Sequence, residues 1–124
     1  MVSLFFLQGF IMPIVTLEDA KLQLNITDDE DDLIIDPMIG AAIGMVEHAL
    51  QHDIYEKTAD IPVDSTNVID FEQLKDSKKA AIEMAIKLAV STLYLHRESS
   101  VEVNLIENPA FNACLAGFTG VYLG

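Results

Sequence analysis

Apolar residues recur at helical spacing in residues 78–98, a stretch that contains neither Gly nor Pro. Strong helix formers dominate this stretch, so the pattern predicts one long helix. Apolar side chains also fall on its other faces, which is typical of a helix that is buried in a large core, spans a membrane, or is covered partly by its own domain and partly by neighbouring subunits. Glu83 and Lys87 argue against a membrane span and, with the acid four residues before the base, predict a polar stripe. The residues that this helix is expected to place in the core are Ile82, Ile86, Ala89 and Leu93.

A short helix is predicted over residues 16–24. Thr16 is placed as an N-cap, and Glu18 and Asp19 lie where the helix dipole favours negative charge. Leu17 begins its apolar face and is assigned to the core. The polar residues that follow end this helix.

A second main helix is predicted after the five consecutive acids of residues 28–32, extending to about His52. Thr27 and Glu30 have the spacing of a capping box. The acids are therefore expected in the first helical turn, where the helix dipole favours them.

Pro37, Gly40 and Gly44 interrupt this second pattern. Pro37 predicts a kink or a late helix start, and the two glycines predict a close contact with another helix. Leu33 and Met45 are assigned to the core. The predicted apolar stripe consists of Leu33, Pro37, Ala41, Met45 and Ala49.

The connection between the second and third main helices, residues 56–76, is longer than a bundle requires. Residues 68–71 are expected either to form a short strand or to pin this loop to the core. Residues 99–108 have alternating apolar positions and are expected to be extended. The tail, residues 108–124, has no charged side chain. Its apolar residues form a helical stripe, namely Phe111, Leu115, Phe118 and Tyr122.

These elements predict an all-α fold: a small bundle of three to four helices with one long central helix and a long loop between the second and third main helices. The helical domain is residues 16–107, and the uncharged segment is residues 108–124. Residues 1–15 form an apolar leader without charged side chains. Either Met12 is the natural start or the leader is a docking arm, and the lack of an early cation argues against a signal peptide.

Composition and charge narrow the possible partners. The chain has 124 residues, 51% of them hydrophobic, and its mean hydropathy is +0.32. Such apolar character in one small domain implies a partner or further copies of the chain. The net charge of −13, from 20 acids and 7 bases, argues against wrapping DNA, because such binding needs many cations. An acidic wall instead suits a passage through which DNA moves.

Calcium binding is the first chemistry that the acidic run suggests. Alternate carboxylates of residues 28–32 match the first ligand positions of an EF-hand loop. Leu33 then stands where the loop needs Gly, and Ile39 stands where it needs the bidentate acid. A solvated helix N-terminus is the preferred interpretation.

His48 and His52, one helical turn apart, form the second candidate site. Ala49 stands where the metalloprotease motif needs Glu, so favourable placement near a helix C-terminus is preferred to a metal site. Cys114 has no neighbouring base, which predicts an inert thiol, and a single Cys fits a reducing compartment. No phosphate loop or nucleophile motif occurs, so we expect no enzyme, cofactor or metal.

Two stretches together resemble the tailed-phage head-tail connector family of small DNA-packaging adaptors. One is IVTLEDAKLQL, residues 14–24, with the Asp-rich segment and residues 39–48 that follow it. The other is AIEMAIKLAVSTLYLHRE, residues 81–98, which is similar to the family's Ala-Ile…Leu-Tyr-x-x-Arg-Glu helix. Pro37 and the glycines depart from the family's regular second helix.

The resemblance implies a structural protein of a phage or prophage virion, located at the head-tail junction and assembled in the host cytoplasm. Residues 16–107 would be the connector domain, forming a ring of about twelve copies. The ring would lie below the portal, extend the DNA channel without binding a specific DNA sequence, and join the head to completion or tail proteins. It also implies that the C-terminal segment docks onto the portal.

The interface hypothesis follows from the ring. Glu83 and Lys87 are expected at the subunit boundary, and Arg97 and Glu98 are expected to fix the helix end or a subunit contact by ion pairing. The tail stripe is expected to dock onto a neighbour or the portal. The alternative function is an acidic helical regulatory module that sequesters a basic partner or mimics DNA.

Overall fold

The computed structural model describes residues 14–96 and 109–122. In these residues the chain is mostly helical, with a small two-stranded sheet, which confirms the predicted bundle. The helices are α1 (Leu17–Leu24), α2 (Asp32–Leu50), α3 (Asp76–Leu95) and α4 (Pro109–Tyr122). The strands are β1 (Asp53–Tyr55) and β2 (Val68–Asp70), and short 3₁₀ turns lie at Thr58–Asp60 and Phe71–Gln73.

Helix α1 begins where the sequence predicted. Thr16 Oγ1 accepts a hydrogen bond from the Asp19 amide at 3.1 Å, and Asp19 Oδ2 accepts one from the Thr16 amide at 3.2 Å. This reciprocal capping box satisfies two backbone donors that the helix leaves open. Asn25 ends the helix in the left-handed conformation, with φ of 63°.

The predicted capping box of Thr27 and Glu30 is wrong. Helix α2 begins only at Asp32, and its N-cap residue, Asp31, makes no side-chain capping bond. The Asp31 carboxylate instead accepts a hydrogen bond from the hydroxyl of Tyr94 on α3. The side chain of the N-cap residue thus makes a contact with a residue far away in the chain and no bond to its own helix.

The face of α2 that enters the core also differs from the prediction. Leu33, assigned to the core, is 91% exposed. The predicted stripe used only four-residue steps, and each advances about 40° beyond a full turn, so the stripe winds around the helix. The observed stripe mixes steps of three and four and stays on one face. Its buried residues are Ile35, Ile39, Ala42, Val46 and Leu50.

Helix α3 is the central element and packs against the other three helices. Ile82, Ile86 and Ala89 are fully buried, as predicted. The other predicted core residues, Leu17, Met45 and Leu93, are partly buried and pack against the edge of the same core. A 20-residue helix without Gly or Pro thus organises the subunit.

The loop between α2 and α3 contains the small parallel sheet. Residues 68–70 form the strand that the sequence allowed, and β1 is an element that it did not predict. Ile54 pairs with Ile69, and both side chains are buried. The sheet therefore anchors both ends of the long loop to the core.

Candidate assembly surfaces

The predicted polar stripe of α3 lies at the surface of the subunit. Glu83 and Lys87 are both half-exposed, and in the described residues no ion pair joins them. Met84, between them, is 42% exposed. Arg97 and Glu98 lie outside the described residues. The α3 stripe is thus accessible to a partner, and its role in an interface stays a prediction.

The described side chains of the tail stripe lie inside the subunit. Phe111, Leu115 and Phe118 on α4 are buried in the same core as α3. The Lys78 ammonium lies 4.8 Å from the centroid of the Phe118 ring, close enough for a cation–π contact. The side chain of Tyr122 is outside the described part of the chain. In this arrangement the three described apolar residues of the stripe serve the subunit's own core.

Helix α2 carries the surface that the sequence prediction missed. By length and composition it could cross a membrane, a test that core helices of soluble proteins also pass, and only 28% of its apolar window is buried within the subunit. The side opposite the core has no charged side chain over three turns, and we call it the outer face of α2. Its residues are Leu33, Ile34, Pro37, Gly40, Ala41 and Gly44, all exposed.

The outer face of α2 also has free space beside its two glycines. A Cβ atom added at Gly40 or Gly44 would meet nothing within 4 Å. The close helix contact predicted for these glycines is therefore wrong within the subunit. The signal that could have located this face was the lack of charge at 33, 37, 40, 41 and 44, because a solvated helix face normally carries charge.

Part of the acidic run beside α2 makes contacts within the subunit. The Lys21 ammonium lies 2.9 Å from Asp32 Oδ1 and 3.5 Å from Asp29 Oδ1. The hydrogen bond to Asp32 raises the pKa of Lys21 above its usual value. With the Asp31–Tyr94 bond, these contacts connect α1, the start of α2 and the end of α3. The acids at this position stabilise a junction of helices.

An open cleft of about 490 Å³ lies at the C-terminal end of α2. His48 and His52 both line this cleft. The buried His52 ring has Nδ1 2.8 Å from the Leu50 carbonyl oxygen, while Glu47 Oε2 accepts a hydrogen bond from the Ile54 amide at 2.8 Å. In residues 14–96 and 109–122 no three His, Cys, Asp or Glu side chains converge as a metal site. The polar groups here hold the turn into β1.

Cys114 on α4 is half-buried against the core. Burial raises the pKa of its thiol, because a thiolate would lose hydration. The described geometry therefore gives Cys114 the environment of a packing residue.

Taken together, these surfaces define a small helical subunit whose exposed features suit protein contacts. A family model described as phage gp6-like head-tail connector protein matches residues 14–108. This match covers most of the chain, so the chain belongs to that family. Comparison with curated proteins and with solved structures gave no match.

Family membership indicates the general role of the protein. It is a structural component of a bacteriophage virion at the head-tail junction, and it interacts with other head and tail components. Proteins of this family are structural and generally without enzymatic activity. Helix α4 begins at Pro109, directly after the matched residues 14–108.

Proposed function

We propose that the protein assembles into a ring below the portal, extends the DNA channel, and joins the head to completion or tail proteins. The family match over residues 14–108 carries this proposal. We also propose the virion ring of about twelve copies that the resemblance implied, assembled in the host cytoplasm.

Charge supports the channel role. A net charge of −13 gives each subunit an excess of carboxylates, and we propose that the wall of the channel in a ring of copies is negatively charged. Such a wall repels DNA phosphates and favours passage over binding. The acidic regulatory module remains the alternative function. Asp31 and Asp32 are engaged within the subunit, whereas Asp28, Asp29 and Glu30 are exposed.

The α3 stripe is the proposed polar contact between subunits. Glu83 and Lys87 are available at the surface, and Arg97 and Glu98 are proposed to extend the contact beyond the end of α3. Exposed pairs of this kind contribute little affinity, about 0–1 kcal/mol each. Their proposed effect is therefore on the alignment of neighbours more than on the strength of assembly.

Docking of the tail onto a partner involves a larger free-energy change than the polar contact of the α3 stripe. Releasing α4 from its subunit would expose Phe111, Leu115 and Phe118 and cost roughly 1.5–3 kcal/mol for each side chain. A portal or neighbour must cover these residues equally well to compensate. We propose that segment 108–124 reaches a partner either through such an exchange or through the exposed side of α4, while the buried stripe remains in place.

The test is assembly by the purified full-length chain. We expect its mass in solution to be that of a ring, and particle images to show a central hole about as wide as a DNA duplex. Added to DNA-filled heads that carry a portal and lack connectors, the protein should bind and allow tails to join. A chain that stays monomeric at high concentration and does not bind such heads would contradict the proposal.

A further inference from the structure

We propose that the outer face of α2 binds a second copy of this chain and forms a subunit contact of the assembled connector. This inference rests on the proposed function and assigns the contact to a particular surface. Leu33 and Ile34 provide apolar side chains at one end of the face, and Ala41 and Gly44 lie further along it.

The exposure of apolar side chains is the first observation that supports this contact. Leu33 is 91% exposed and Ile34 is 43% exposed. Burying a Leu or Ile side chain is favourable because it removes apolar surface from water. Adjacent exposed apolar residues on one helix face, bordered by charged residues such as Asp36, are typical of a protein interface.

Charge identifies the partner as another copy. With 20 acids and 7 bases, two copies repel each other over most approaches. The outer face of α2 itself has neither an acid nor a base, so copies that meet there keep their acids, such as Asp36, at the edge of the contact. A basic protein would gain nothing on this face compared with the acidic surfaces elsewhere, and DNA would find no Lys or Arg on α2.

The two glycines give an independent reason. Glycine destabilises a helix relative to alanine, and nothing within 4 Å in the subunit excludes a Cβ at Gly40 or Gly44. The subunit's own packing therefore does not require glycine at either position. Small residues let a helix of another copy approach the backbone closely.

The experiment compares two identical charge insertions. Ala41→Glu places an acid on the outer face of α2, and Ala80→Glu places one at an exposed position of α3. Glu is a strong helix former, so both variants should keep the wild-type circular dichroism and melting temperature. For the wild type and each variant, sedimentation measures the protein concentration at which half of the subunits are assembled.

We expect Ala41→Glu to raise that concentration roughly tenfold or more and Ala80→Glu to leave it close to the wild-type value. Leu33→Ser, paired with Leu22→Ser at another exposed leucine, should give the same contrast in weaker form. If the wild type forms rings and Ala41→Glu assembles equally well, or if both Glu variants fail alike, the assignment to α2 is overturned while the connector role stands. A wild type that never assembles and does not bind heads overturns both.

Discussion

Helices α2 and α3 have nearly the same length, 19 and 20 residues, yet they are buried to different extents in the subunit. Over residues 81–94 of α3, Met84 is the one exposed residue, whereas α2 is exposed at eight positions from Leu33 to His48. The apolar pattern predicted surplus apolar surface on α3, whereas the exposed apolar surface lies mainly on α2. Apolar content therefore does not reveal which helix is central.

The glycines and Pro37 explain why the difference was missed. In the sequence these residues suggest an irregular core helix, because Gly and Pro normally weaken helices. In the folded subunit α2 runs through Pro37, and Gly40 and Gly44 lie on its exposed side. Residues that weaken a helix are tolerated most easily where they do not interrupt the core.

The largest expected effect is on α4, the second partner of the central helix. Phe118→Ala should reduce the free energy of unfolding by about 3–5 kcal/mol, because it leaves a cavity beside α3. Urea denaturation measures the change. A loss below about 1 kcal/mol would mean that α4 is not part of the subunit's core in solution, and would favour the docking role for the tail.

A matched pair of truncations tests the contrast between the two long helices directly. Ile86→Ala on α3 should cost about 2–5 kcal/mol, since the side chain is fully buried. Leu33→Ala on α2 should change the stability of the isolated subunit by less than about 0.5 kcal/mol, because the side chain is already in water. Equal losses in chemical denaturation would contradict the described burial.

Substitutions between glycine and alanine test the comparison of α2 with α3 at exposed positions. Gly44→Ala should stabilise the isolated subunit by about 0.5–1 kcal/mol, because the new methyl group meets nothing and the unfolded chain loses freedom. Ala80→Gly on α3 should destabilise it by a similar amount. Thermal melts of both variants below the assembly concentration provide the measurement. Destabilisation by Gly44→Ala would indicate a contact that the described subunit lacks.

The smallest expected effect concerns the loop between the two helices. The Thr58 amide donates to Glu72 Oε1 at 2.9 Å, and this bond lowers the pKa of the Glu72 carboxyl from its usual value. A carboxyl whose pKa is lowered by folding stabilises the fold above its unfolded pKa, and this contribution is lost as the pH falls through the folded pKa. The protection of the Thr58 amide, measured relative to its intrinsic exchange rate at each pH, should therefore fall as the pH drops through the lowered pKa of Glu72.

Glu72→Gln provides the control for the loop. The amide oxygen still accepts a hydrogen bond but does not titrate, so exchange at Thr58 should be somewhat faster than in the wild type at neutral pH and should lose its structural dependence on acid. Identical pH profiles for the two proteins would show that Glu72 does not hold the loop.

Local signals determined much of the fold. The capping box of Thr16 depends on residues three positions apart, and the length of α3 depends on composition and the absence of breakers, so both could be predicted. The same holds for the family motifs at residues 14–24 and 81–98, which lie within the matched residues 14–108. Each of these features depends on neighbours in the chain.

Tertiary structure decided the features that depend on distant partners. Strands β1 and β2 exist because they pair with each other, and this pairing decided between the two alternatives for residues 68–71. The bond from Tyr94 to the Asp31 carboxylate likewise joins residues that are far apart in the chain. The core face of α2 was settled by the shape of α1, α3 and α4, which accept Ile35 and leave Leu33 in water. A periodic pattern states that a helix has an apolar face, but when nearly every face is uncharged only the packing of the other helices selects which one is buried.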